Sequence, residues 1–149
     1  MNDFSDCVES FYSEEDQSIL LHQLFRPNDK EGPHRINISP VNESIQVCHL
    51  SLANNQTFRA HKHVFYKRDM PMAQESWVVI SGRVEVFYFD LNDRLITTRI
   101  LKQGDCTVTY RGGHNYKSLE KDTIVYEFKT GPYFGTEKDK VFLNKTTWW

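Results

Sequence analysis

Glu75-Ser76-Trp77-Val78-Val79-Ile80-Ser81-Gly82-Arg83-Val84-Glu85-Val86-Phe87-Tyr88-Phe89-Asp90 is the stretch whose reading decides the fold. Two runs, residues 77–80 and 84–89, are rich in β-branched and aromatic side chains and are separated only by Ser81-Gly82-Arg83. Such side chains fit a pleated, half-buried surface, and so short a connection leaves no room for a helix. Both runs predict strands. Downstream, Asp90-Leu91-Asn92-Asp93 turns the chain into residues 94–101, and Lys102-Gln103-Gly104-Asp105 turns it again into segments 107–110, 114–119 and 123–128. Upstream, segments 45–52 and 57–64 flank Ala53-Asn54-Asn55-Gln56, whose Asn pair is a turn signal. Short strands at close spacing without intervening helices predict an all-β, antiparallel barrel or sandwich.

The amino-terminal part reads differently. Ser13-Glu14-Glu15-Asp16 has the character of a helix start, and Ile19, Leu20, Leu24 and Phe25 form a candidate apolar stripe before Pro27. Residues 26–33 are punctuated by Pro, Asn, Asp and Gly and read as a loop. A chain of 149 residues suggests one core. The expected division is a helical and loop segment over 1–33 and a barrel domain over 34–149.

Composition excludes several classes. Eighteen basic against twenty acidic residues give a net charge of -2 with no basic block, so nucleic acid is not an expected partner. Cys7, Cys48 and Cys106 are odd in number and widely spaced, which argues for a reducing compartment over a disulfide framework. The acidic, polar start lacks the features of a secretory signal, and no apolar run is long enough to span a bilayer. The expectation is a cytoplasmic protein with no membrane partner.

The chemistry centres on His61-Lys62-His63, Glu75 and His114. Strand alternation would project His61 and His63 from one face, as two imidazoles closing on one ion require. Imidazoles suit Zn, Fe, Ni or Cu, and a carboxylate widens the choice to Mn. The expected cofactor is therefore one divalent transition metal (Zn, Fe, Mn or Ni), held by His61, His63, Glu75 and His114. Of the neighbours Gln74 and Glu75, alternation lets only one face the site. Arg59 shares the parity of His61 and His63 and is expected to point inward towards a partner such as Glu85, Glu127 or an anionic ligand. Tyr66, Trp77, Tyr88 and Tyr116 are candidate walls of a carbohydrate pocket. His22, His34 and His49 belong to no motif and stay outside the expected site.

This order of residues resembles the cupin superfamily: His-x-His, a Glu, six residues and a Gly82, then a His closing the second motif. Eleven residues separate His63 from Glu75, where that superfamily has only a few, and its usual proline is missing around Tyr110-Arg111-Gly112. His34-Arg35-Ile36-Asn37 upstream, Phe89-Asp90, and Tyr126-Glu127-Phe128-Lys129-Thr130-Gly131-Pro132-Tyr133 with Asp139-Lys140 downstream look like the WbuC-type cupin metalloproteins. The resemblance implies a double-stranded β-helix, or jelly-roll barrel, with a divalent metal inside it. It also implies a role in bacterial O-antigen or capsule biosynthesis, a carbohydrate or nucleotide-sugar ligand, and a homodimer, in which Trp148 and Trp149 would be covered.

Two function classes follow. A metal beside Arg59, Tyr116 and Glu127 has the parts of a sugar isomerase or epimerase, in which a Lewis acid polarises the substrate and a side chain moves a proton. The alternative is a non-catalytic pocket for a sugar or small anion. Iron-dependent oxygenation fits the same open coordination.

Overall fold

The structure, a computed structural model, describes residues 5–28 and 32–143. A short 3-10 turn, Ser5–Cys7, leads into ten strands: β1 (Val8–Tyr12), β2 (Leu20–Phe25), β3 (His34–Asn37), β4 (Cys48–Ser51), β5 (Glu75–Ser81), β6 (Arg83–Phe89), β7 (Leu95–Lys102), β8 (Cys106–Thr109), β9 (Gly113–Ser118) and β10 (Ile124–Lys129). A single helical turn, α1 (Thr136–Asp139), follows the cis Gly131–Pro132 bond. The strands form a five-stranded sheet in the order β1-β2-β8-β5-β10, a three-stranded sheet β7-β6-β9 and the pair β3-β4. All pairings among the described residues are antiparallel. The all-β, antiparallel expectation holds at this level. No helix among the described residues is long and apolar enough to cross a membrane.

Period-two alternation explains how the layers meet. On β6, Val84, Val86 and Tyr88 turn to one side and join Phe11, Leu24, Val79 and Leu101 in a core shared by the five- and three-stranded sheets. On the other side of the large sheet, Phe25, Cys106, Val108 and Tyr110 pack with Ile36, Ile38 and Ile45, so the β3-β4 pair and its connection form a third layer. The large sheet is thus covered on both faces. Gly82, the one residue between β5 and β6, carries the chain from one sheet to the other. Its φ of 77° is open to glycine, and an added Cβ would lie 2.5 Å from Thr123 Oγ1.

Two expectations are corrected. The segment read as an amino-terminal helix outside the barrel is strand: β2 pairs with β1 on one side and β8 on the other. A strand buried on both faces carries a near-continuous apolar run, which period alone does not separate from a buried helix. Leu21, His22, Gln23, Leu24 and Phe25 are all buried. The second correction concerns residues 57–64, expected as a strand. Residues 52–74 contain no strand or helix, although the Asn pair does make its turn, with the Gln56 N–H donating to Ala53 O at 3.1 Å. One alternate face of 57–64 carries Thr57, Arg59, His61 and His63, and the other sets Lys62 between Phe58, Ala60 and Val64. Neither face offers enough apolar burial to offset the entropy of ordering it. Trp148 and Trp149, on which the dimer expectation partly rests, lie outside the described residues.

Candidate functional site

A cleft of about 770 Å³ opens between the two main sheets, and residues 137–143 form part of its wall. Its floor is built by register. Across β2, β8, β5 and β10 the residues His22, Thr109, Glu75 and Lys129 stand directly opposite one another in a single row. The next row places Thr107, Trp77 and Glu127 side by side. From the facing sheet, β9 contributes His114 and Tyr116, which share a face because they are two residues apart.

Glu75 and His114 meet across the cleft, with His114 Nε2 3.2 Å from Glu75 Oε1. The same carboxylate oxygen accepts the Trp77 indole N–H at 2.9 Å. Burial pushes the Glu75 carboxyl up, but the His114 hydrogen bond and charge, the Trp77 indole and the Lys140 ammonium outweigh it. The net shift is downward, and Glu75 is ionised at neutral pH. An ionised carboxylate only accepts, so the proton on His114 Nε2 points at it. The other ring nitrogen, Nδ1, is buried without a hydrogen-bond partner among the described residues. Trp77 and Tyr116 stack with ring centroids 3.8 Å apart and planes 11° from parallel. The Tyr116 hydroxyl is likewise buried and without a partner, and burial, together with the charges of Glu75 and Glu127, pushes its phenol well up.

Strand parity left Gln74 and Glu75 as alternatives, and the geometry separates them. Gln74 Oε1 accepts the Ile45 N–H at 2.8 Å and its amide donates to Glu43 at 2.6 Å, so this side chain serves the third layer. Glu75 faces the cleft. Tyr116 and Glu127 line the cleft as well. Arg59, His61 and His63 do not: all three are exposed on the 52–74 segment, where the two imidazole rings lie 5.5 Å apart and His61 Nδ1 lies 3.0 Å from Arg59 O. Arg59 therefore does not point inward as its parity implied, because parity acts only within a strand. Among the described residues no three His, Cys, Asp or Glu side chains are grouped to hold a metal. Glu75 and His114 supply two donors, which by themselves do not make a metal site.

Sequence reasoning missed two residues here, Arg111 and Thr109. Arg111 reaches the cleft wall while making a two-point ion pair with Glu43, at 2.8 and 3.2 Å. Lys129 lies 3.5 Å from Asp139 and over the Tyr133 ring at 4.2 Å. Thr109 sits in the floor beside Glu75. Only the signal for Lys129 was readable, through its shared parity with Glu127. Comparison with known families, with curated proteins and with solved structures finds no match for this chain.

Proposed function

We propose that the cleft binds a sugar or nucleotide-sugar and that His114, oriented by Glu75, moves a proton on it in an isomerase- or epimerase-like reaction. One observation carries the reading: a carboxylate holds one ring nitrogen of His114, the other is buried without a partner among the described residues, and the residue lines a ligand-sized cleft. Clefts that bind small molecules run to roughly 300–1,000 Å³. In this arrangement Glu75 fixes the tautomer and Nδ1 is the base. The Trp77–Tyr116 pair supplies an apolar wall for a sugar ring, while Glu127, which lines the same cleft, is placed to accept from its hydroxyl groups. The resemblance to WbuC-type cupins extends the proposal to bacterial surface-polysaccharide biosynthesis, with the two facing sheets as the halves of a jelly roll and the chain as a homodimer.

The test is solvent exchange. A panel of hexoses and nucleotide sugars in deuterated water, followed by NMR, is expected to show carbon-bound hydrogen exchanging in the wild type. Exchange should fall by about 100-fold or more in His114→Ala. Binding without exchange would make the protein a sugar-binding module, the alternative reading. No binding by any panel member would remove the proposal.

A metal-dependent form of the same reading needs His61 and His63 as well. The feature that favours it is continuity: Met72 and Ala73, at the end of the segment bearing both histidines, are in the cleft wall. Metal analysis of the purified wild type and His63→Ala decides this form. Equal metal content in the two proteins would remove it.

A further inference from the structure

Behind Thr109, a residue of the cleft floor, lies a histidine that the proposed chemistry does not use. His22 is fully buried, and its two ring nitrogens have defined partners: Nδ1 lies 3.0 Å from Thr109 Oγ1, and Nε2 lies 3.1 Å from the Phe89 carbonyl oxygen. A carbonyl only accepts, so Nε2 must carry a proton. With no carboxylate in hydrogen-bond contact and complete burial, the ring is neutral; burial is also the main reason its acidity is shifted so that it stays neutral to about pH 4. A neutral imidazole has one N–H. Nδ1 is therefore a bare lone pair, and the Thr109 hydroxyl must donate its only proton to it. The opposite tautomer would set two lone pairs against each other across the 3.1 Å between Nε2 and Phe89 O. Gly112 keeps this contact possible, since a Cβ there would lie 2.5 Å from Phe89 O and 3.3 Å from His22 Nε2.

We propose that Thr109 is a specificity-determining residue. Its proton is committed to His22, so its oxygen offers the cleft lone pairs only, and the ligand must bring a hydroxyl or N–H donor to that point of the floor. Thr109 stands beside Glu75 in the register, close to the proposed base and its orienting carboxylate. Two adjacent acceptors, the Glu75 carboxylate and the Thr109 oxygen, favour a polyol edge over a carbonyl edge. This inference deepens the sugar-binding reading and rests on it for the ligand, whereas the polarity of Thr109 rests on the His22 ring alone.

The experiment has two arms. Nitrogen-15 NMR of the histidine rings is expected to show His22 protonated on Nε2 and bare at Nδ1; a proton on Nδ1 would overturn the proposal. In the second arm, glucose, galactose, mannose and their nucleoside-diphosphate forms, each with its singly deoxygenated analogues, are titrated into wild type, Thr109→Val and Thr109→Ser. One hydroxyl is expected to matter: its removal should weaken binding to wild type and Thr109→Ser by about ten-fold, and Thr109→Val should bind both forms equally weakly. A Thr109→Val protein that keeps wild-type affinity and discrimination would overturn the proposal. If no sugar in the panel binds wild type, the sugar reading fails and the ligand half of this proposal falls with it, while the ring proton still decides the polarity of Thr109.

Discussion

Acid should destabilise this protein through His22 before most of its carboxylates matter. In the unfolded chain this imidazole titrates at its ordinary value of 6.5; in the folded protein it is held down to about 4. The main cause is burial, reinforced by His114 and partly offset by the Phe89 carbonyl and Asp90. Between these two values the unfolded chain binds a proton that the folded chain refuses, so stability rises with pH across that window. The contribution is complete above the unfolded value, is lost as pH falls from 6.5 through about 4, and changes no further below that. At about 1.4 kcal/mol per unit, the loss amounts to roughly 3 kcal/mol. Asp90 and Glu75 are held low and lose their own contributions further down, Asp105 is pushed up by burial and acts in the opposite sense, and His49 is pushed down by burial and by His34. The difference between wild type and His22→Gln cancels these other groups. Urea unfolding of both proteins at several pH values measures that difference. The variant should be less stable at neutral pH by about 1–3 kcal/mol, because Thr109 and the Phe89 carbonyl lose their partner. The difference should then move by roughly 3 kcal/mol in the variant's favour on acidification to about pH 4, so that the variant becomes as stable as the wild type or more so. A gap that does not change with pH refutes the reasoning.

Three further outcomes are expected. Gly112→Ala should cost about 2 kcal/mol or more in urea unfolding, since the residue has a φ of 79° and the new methyl would press on Phe89 O; a variant as stable as wild type would contradict the close approach. Tyr88→Phe should cost about 1–2 kcal/mol: the Tyr88 hydroxyl lies 2.5 Å from Thr107 Oγ1, whose own proton goes to Gln23 O at 3.3 Å, so a buried acceptor is left without its donor. Trp77→Phe, which keeps an aromatic ring over Glu75 but removes the indole N–H, should raise the Glu75 carboxyl towards its ordinary value, because that N–H helps to hold it down; carbon-13 NMR titration of Glu75 checks the direction, and an unmoved or lowered midpoint would count against the hydrogen bond.

The strands from β5 to β10 were legible because each has a recognisable run and each gap a turn residue: Gly82, Asp93 and Gly104 all take positive φ where turns were expected. Strand β2 was not, and the physical reason is its position between β1 and β8 with layers on both sides. Burial on both faces removes the alternation that would have marked it as strand. The histidine in that strand was set aside with His34 and His49 for lack of a motif. A motif marks ligands, however, and His22 acts through a threonine directly opposite it in the register, which no spacing along the chain reveals.

Strand parity agrees with which side chains line the cleft where strands formed and misleads where they did not. Glu75, Tyr116, Glu127 and His114 stand on β5, β9 and β10, and alternation predicts which of their neighbours share a face with them. The parity of Arg59, His61 and His63 was equally regular, but parity states what shares a face if a strand forms and is silent on whether it forms. That depends on burial, and residues 57–64 put four polar side chains on one face and an interrupting lysine on the other. The long interval between His63 and Glu75 has the same consequence, because it frees the histidine pair from the register that fixes Glu75 against Thr109 and Lys129. The contact between Glu75 and His114 is made without the segment, whereas a centre that also uses His61 and His63 is not. Loss of exchange in His114→Ala with no effect of His63→Ala would therefore assign the chemistry to the paired side chains on β5 and β9, and dependence on both would assign it to a site that includes the 52–74 segment.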